Sequence, residues 1–363
     1  MSKTIDRFPQ DDNFRMPGEH EPQSEVWMAW PTRSDNWRYS GKPAQKAFVD
    51  VAVAIAKKTP VVMLVNYAQF ANARAQLPAE IKVVEMSYND CWMRDIGATY
   101  VINENGDRRG ISWQFNAWGG LIDGLYFPWD LDDAVANKML ELTQDDIYKA
   151  PLVLEGGSIH TDGEGTLYTT EECLLHPSRN PEMSKSEIEQ HLKNFLGIDK
   201  VIWLPRGLYN DETNGHVDNI LHVVRPGEVA LTWCDDQNDP QYQISREAFD
   251  ILNTEKDAKG REITVHKLPM PGPLYMTEEE ASGIDHSEGM EREAGERLAA
   301  SYANFLISNG QVVYPLLDND RDAEARAVLE AAFPEHDLLG VNAREILLGG
   351  GNIHCITQQV PVS

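Results

Sequence analysis

Long apolar runs are missing from this chain of 363 residues. A membrane-crossing helix needs about 20 mostly apolar residues in a row, so a spanning segment is excluded. The opening segment, MSKTIDRFPQDDNFRMPGEH, has no apolar stretch of the kind a secretory leader requires, which points to the cytoplasm. Cysteine is scarce: Cys91, Cys173, Cys234 and Cys355 stand far apart with no C-x-x-C pair. Such spacing offers neither a disulfide framework nor a zinc site, and it suits a reducing compartment. Positive charge is scarce too, with 32 Lys and Arg against 58 Asp and Glu, a net charge of −26. Nucleic acid is excluded as a partner, because phosphate contacts need clustered cations. The acidic excess serves solubility, or steers a small cation toward an acidic cleft.

What is present is a regular alternation. Apolar residues make up 42% of the chain, enough for a filled core. Residues 61–65, 82–86, 201–204 and 263–268 read as strands, and 44–57, 131–142, 184–195, 244–253 and 321–332 as helices. Ser184 and Glu187 have the spacing of a capping box. Five segments then share one pattern: a small or acidic lead-in, a β-run, a glycine turn and a second β-run. They begin at Asp95, Glu155, Gly215, Ser301 and Gly349, and the fifth stops at its first β-run. Asn105-Gly106, Pro226-Gly227 and Asn309-Gly310 are hairpin turns. A supersecondary unit that recurs five times stacks or closes into a ring. The expectation is therefore an α/β toroid of five modules spanning 1–363 as one domain, with the lead-ins lining the axis. A doubly wound parallel sheet is the competing fold, and the hairpins argue against it.

Reactive side chains cluster in those lead-ins. His216 and Asp218 stand two apart, which on a strand puts them on one face. A lone strand histidine is usually structural; the adjacent Asp211-Glu212 pair and Gly215 favour function. Glu155 ends an apolar run and precedes Gly156-Gly157, where a carboxylate either caps a turn or meets a cation in the space the glycines leave. Cys355 follows Gly349-Gly350-Gly351, unlike the other three cysteines, which read as inert core residues. Read as a strand, this stretch turns His354 away from Cys355. The first unit contributes Trp92, Arg94 and Asp95, an apolar wall that attracts cations and a carboxylate that pairs with Arg94 or with a ligand.

One cysteine, one histidine and several carboxylates, with no metal-ligand spacing, suit a guanidinium substrate. Carboxylates hold the flat cation in bidentate fashion. A thiolate adds to its carbon, and the histidine protonates departing ammonia and then activates water. Papain-like proteolysis also uses cysteine and histidine but needs no such ring of acids.

The motifs FRMPGEHEPQSEVWMAWPTRSDNWR, YNDCWMRDIGATYV, FNAWGG, LEGGSIHTDGEGT, NDETNGHVDN and GGGNIHCITQQVP run nearly end to end. Together they resemble the agmatine deiminases of the guanidino-modifying (pentein) superfamily. The resemblance implies a five-bladed α/β propeller that works without cofactor or metal on agmatine, a small cationic guanidino compound, yielding N-carbamoylputrescine and ammonia. It implies Cys355 as nucleophile, His216 as acid and base, Glu155, Asp218 and Asp95 around the guanidinium, and Trp92 and Trp118 along the pocket wall. Ala98 stands where the family commonly has proline, and Leu121 where lysine is frequent. For the amine end of the substrate the candidates are Asp211 and Glu212, which precede His216. Alternatives are a deiminase of free or peptidyl arginine and a binding protein on the same fold; a homo-oligomer is compatible with either. Residues 270–293, rich in Gly, Pro and Glu, read as a lid, an interface or a surface loop.

Overall fold

The computed structural model describes residues 2–363. Among them, sixteen strands form five sheets. The first holds β1 (Gln23–Ala29), β2 (Val61–Val65) and β3 (Lys82–Glu85), and the second β4 (Thr99–Ile102), β5 (Arg108–Gln114) and β6 (Asp146–Val153). The third holds β7 (Ile159–Thr161), β8 (Thr166–Thr170) and β9 (Lys200–Leu204). β10 (Leu221–Arg225), β11 (Glu228–Trp233) and β12 (Thr264–Pro269) make the fourth. The fifth is β13 (Leu306–Ile307), β14 (Gln311–Leu316) and β15 (Asp337–Asn342), while β16 (Gln358–Pro361) returns to pair with β1.

One rule builds every sheet. An antiparallel hairpin is followed by a parallel third strand, as in β4-β5-β6, β7-β8-β9, β10-β11-β12 and β13-β14-β15. The first sheet obeys it through β16-β1-β2, with β3 added at the edge. A parallel neighbour needs a crossover, and each of the five carries a helix: Lys42–Ala56, Val135–Thr143, Lys185–Leu196, Gln241–Thr254 and Asp322–Ala332. The fifth unit, read as incomplete, thus takes its second β-run from β1.

Lys185–Leu196 shows why these segments become helices. The Ser184 hydroxyl accepts from the Glu187 amide, Glu187 answers to the Ser184 amide, and Gly197 ends the helix in the left-handed region at φ 62°. Ile188, Leu192, Phe195 and Leu196 fall on one face and are buried, each contributing roughly 1.5–3 kcal/mol by leaving water. Losing the cap as Ser184→Ala costs about 1 kcal/mol.

Apolar clusters join neighbouring sheets in succession. Val101 and Ile111 pack with Ile159 and Leu167. Tyr168 and Ile202 pack with Leu221 and Val229. Val224 and Leu268 pack with Ile307 and Val312. The cluster around Val26 and Met63 takes in both Tyr100 and Val313, linking the first sheet to the second and the fifth. The five sheets therefore close on one another, and the hairpins rule out the doubly wound alternative.

Before each hairpin the chain makes a tight turn. Met93–Ile96, Gly156–Ser158 and Val217–Ile220 are single helical turns, and residues 302–303 and 353–356 are turns. This corrects the strand reading of His216, Asp218 and Cys355. Gly215 at φ 78° and Gly350 at φ 106° swing the backbone out of the extended region just ahead of them. Among the described residues no helix is long and apolar enough to cross a membrane.

Candidate active site

The five turns bring their polar side chains into one buried centre. The Cys355 sulfur accepts a hydrogen bond from Asn304 Nδ2 at 3.2 Å and lies 3.8 Å from Asp218 Oδ2. Asn304 is itself fixed, since its Oδ1 accepts from the His354 amide at 3.0 Å and its Nδ2 also donates to Asn219 Oδ1 at 2.9 Å. Burial pushes the Cys355 thiol well above its usual range, and the charges of Asp218 and Asp95 push it further. In the resting protein the nucleophile candidate is a neutral thiol.

His216 is fully buried and sits at the start of its helical turn. Its Nε2 is 3.4 Å from Glu155 Oε2, and its Nδ1 is 3.9 Å from Asp95 Oδ2. Burial opposes charging the ring, yet Asp95, Cys173 and Glu155 together overcome it and raise its pKa well above the ordinary histidine value. An imidazolium is therefore ready to donate a proton. Glu155 turns its other oxygen to Arg179 Nε at 2.8 Å. Arg179 also donates to Asn214 Oδ1, to the Thr213 carbonyl and to the Trp118 carbonyl. Burial works against ionising Glu155, and Arg179 and His216 win, holding its carboxyl below the usual range. With one oxygen on Arg179 and the other toward His216, Glu155 orients and charges His216.

Asp95 accepts from the Gly157 amide at 2.8 Å and from Trp118 Nε1 at 3.0 Å. Burial lifts its carboxyl to about 6, helped by Asp218 and Glu155 and resisted by His216. Asp218 Oδ2 takes the His354 Nδ1 contact at 2.7 Å. Gly157 measures how closely these groups converge. A Cβ there would lie 2.6 Å from His216 Nδ1, 2.9 Å from Asp95 Oδ1 and 3.0 Å from Asp218 Oδ2. Two of the same residues keep a buried polar atom with no hydrogen-bond partner, His216 Nδ1 and Asp218 Oδ1. Buried polar atoms are nearly always paired, and these two are free to meet a polar ligand.

Trp92 and Trp118 wall the approach at 6.4 Å between ring centroids, and Trp37 stacks behind Trp92 at 5.1 Å. Gly351 is the hinge between wall and sulfur: a Cβ there would meet Trp92 at 2.5 Å and the Cys355 sulfur at 3.1 Å. A narrow channel over this wall is lined by Arg33, Asp35, Glu212, Met290, Arg292 and Gly349, among others. Glu212 thus lies on the approach, paired with Arg292 at 2.7 Å. Asp211 lines the adjoining cavity together with Glu212 and Met290, and its carboxylate accepts from Thr213 and from Asn219 Nδ2. Ser287, Met290 and Arg292 line the channel, so the end of the 270–293 stretch packs against it. Leu121 is 89% exposed.

Several members of this centre escaped sequence reasoning. Asn304 stands in the lead-in of the fourth unit, where the repeat alone nominated an axial residue. Arg179 lies outside every lead-in and carries no such signal. Glu19 and His354 join Asp218 from behind: His354 was set aside because a strand would have turned it away. Among the described residues, two groups gather metal-type donors within 4.8 Å, namely Glu19, His160, His222 and His354, and Glu155, Cys173 and His216. In each a buried arginine already faces the carboxylate, Arg94 at 3.4 Å from Glu19 and Arg179 at 2.8 Å from Glu155.

The Porphyromonas-type peptidyl-arginine deiminase family matches residues 15–361. The chain belongs to that family. Other members are closely similar. A Photobacterium profundum protein provisionally named an agmatine deiminase is 66% identical over 361 residues, covering 99% of both chains. The solved agmatine deiminase of Enterococcus faecalis, described as catalysing its reaction, is 49% identical with a TM-score of 0.97 and full coverage of both chains. A cysteine-to-serine form of the C. jejuni agmatine deiminase, solved with substrate bound, is 26% identical at a TM-score of 0.83 and covers 96% of each chain.

Proposed function

We propose that the chain hydrolyses agmatine to N-carbamoylputrescine and ammonia through a covalent intermediate on Cys355, the whole chain acting as one catalytic domain. The observation that supports this reading is the convergence of His216, Asp95 and Asp218 on Gly157, with Asp218 Oδ1 left as an unpartnered acceptor for the guanidinium and His216 Nδ1 as an unpartnered donor for its departing nitrogen. A guanidinium offers several N–H donors in one plane, which suits two carboxylates.

Asp95 and Asp218 hold the cation, and its charge offsets the carboxylates that disfavour a thiolate. Cys355 then releases its proton to solvent and the sulfur attacks the guanidinium carbon, with Asn304 donating to the sulfur. The adduct is neutral. His216 gives its proton to one nitrogen, ammonia departs, and a cationic thiouronium remains. The now neutral His216 takes a proton from water as the oxygen adds to that carbon. The C–S bond breaks, its electron pair stays on the Cys355 sulfur, the hydroxyl proton passes to that sulfur to restore the thiol, and the ureido product forms. Glu155, clamped by Arg179, keeps His216 cationic at each start.

The far end favours an amine over a carboxylate. Both guanidinium groups of the channel are already paired, Arg33 with Asp35 at 2.7 Å and Arg292 with Glu212 at 2.7 Å. Free arginine would need an unpaired cation there. An ammonium instead competes with Arg292 for Glu212. A panel of agmatine, arginine and a blocked arginyl peptide, assayed for ureido product with the native chain and Cys355→Ala, tests the proposal. Turnover of agmatine only, abolished in Cys355→Ala, is expected. Preference for either arginine compound would overturn the substrate assignment.

A further inference from the structure

Behind Asp218 lies a set of titratable groups that the reaction above does not use. Glu19, 4% exposed, stands just before β1. Its Oε2 meets His354 Nε2 at 2.8 Å, and its Oε1 meets His222 Nε2 at 3.2 Å. The Ile307 amide donates to Oε1 at 2.7 Å, and Arg94 reaches Oε2 at 3.4 Å. His354 faces a carboxylate at each ring nitrogen, Glu19 at 2.8 Å and Asp218 at 2.7 Å.

A neutral imidazole has one N–H, and two carboxylates at these distances require two. His354 is therefore an imidazolium. Its other neighbours agree with that assignment. His160 stacks on it at 5.4 Å and His222 packs edge-on at 5.1 Å. Burial drives both of those rings toward the neutral form, so they do not compete for the charge. Arg94 repels the His354 cation, and burial opposes it more strongly; Glu19 and Asp218 outweigh both and its pKa is raised. The same four donors could be read as a metal cage, but Arg94 already stands against Glu19 and the His354 Nε2 is taken up by its proton.

We propose that Glu19 and His354 are positioning residues for the deimination: Glu19 keeps His354 doubly protonated, and His354 holds Asp218 ionised with one oxygen left for the guanidinium. This rests on the reading of Asp218 as a guanidinium acceptor. The arrangement has a clear logic. Asp218 shares its site with Asp95 and the Cys355 sulfur, and two carboxylates this close tend to share a proton. A fixed cation behind Asp218 keeps it charged before the substrate arrives. His354 also precedes Cys355 in the chain, so the same side chain ties the nucleophile's turn to the substrate's acceptor.

Two measurements test it. Nitrogen-15 NMR of histidine-labelled protein at pH 8, with His354→Asn to assign the signal, is expected to report both ring nitrogens of His354 protonated. In Glu19→Gln one of them loses its proton. A neutral His354 in the native protein overturns the proposal, and so does a spectrum that Glu19→Gln leaves unchanged. Kinetically, Glu19→Gln is expected to raise KM for agmatine about tenfold with kcat within about twofold, because a charged hydrogen bond that aims a binding group is lost. An unchanged KM, or a fall confined to kcat, refutes it. The spectrum needs no turnover, so a wrong substrate leaves it intact, whereas a neutral His354 in an active enzyme sinks this inference alone.

Discussion

Gly157→Ala is the sharpest probe of the centre. The added methyl carbon would sit 2.6 Å from His216 Nδ1, 2.9 Å from Asp95 Oδ1 and 3.0 Å from Asp218 Oδ2. Comfortable contact lies near 3.5 Å, so the three groups must retreat by about 0.5–0.9 Å. None can do so freely. His216 leans on Glu155 at 3.4 Å, Asp95 is tied to the Gly157 amide at 2.8 Å, and Asp218 to His354 at 2.7 Å. Overpacking of this kind costs about 1–3 kcal/mol of stability. The larger effect falls on chemistry, where a misplacement of about 1 Å lowers rate about a hundredfold. Steady-state ureido formation from agmatine is therefore expected to fall about a hundredfold in kcat/KM, with a melting temperature lowered by a few degrees. Gly272→Ala is the control, since its Cβ meets only Asp318 Oδ2 at 3.2 Å. A folded Gly157→Ala protein within threefold of native activity would refute the convergence of His216, Asp95 and Asp218 on the substrate.

Further outcomes follow from the same geometry. Because Asp95 titrates at about 6 and holds the cation only when ionised, kcat/KM is expected to fall below about pH 6; a profile flat to pH 5 counts against its role. Arg179→Met strands the Glu155 carboxylate, both side chains being 0% exposed, and should cost about 3–5 kcal/mol in urea unfolding; a loss under about 1 kcal/mol would contradict the pairing. Glu212→Gln removes the ammonium's partner and should raise KM for agmatine several-fold, whereas unchanged affinity discards that contact. With its thiol pushed up by burial and by Asp218 and Asp95, Cys355 should react faster with cationic haloamidines than with neutral alkylating agents of similar reactivity, and equal rates would oppose the picture.

Much of the architecture was readable because it repeats. Hairpin turns such as Asn309-Gly310 recur at the same place in successive units, and the Ser184 capping box follows from local chemistry alone. Residues on the repeat's lead-ins were legible for the same reason. What failed was local backbone shape. A period of two was assumed for His216 to Asp218 and for Ile353 to Cys355, and glycines with positive φ curl both stretches into single turns. The error removed His354 from view. The pairing of Glu155 with Arg179 was hidden for another reason: the two lie 24 residues apart, and nothing in local sequence signals a pairing of that range. Asp211 and Glu212 look equivalent as neighbours, and both line the outer cavity, while Glu212 also lines the channel beside Trp92 and Trp118.

The pairing of β16 with β1 has a kinetic meaning. Those strands are separated by almost the entire length of the polypeptide, and contacts of such high sequence separation form slowly and late. Cys355 stands just ahead of β16, in the turn held by Asn304. The nucleophile's place beside the acids therefore depends on one of the longest-range pairings in the sequence.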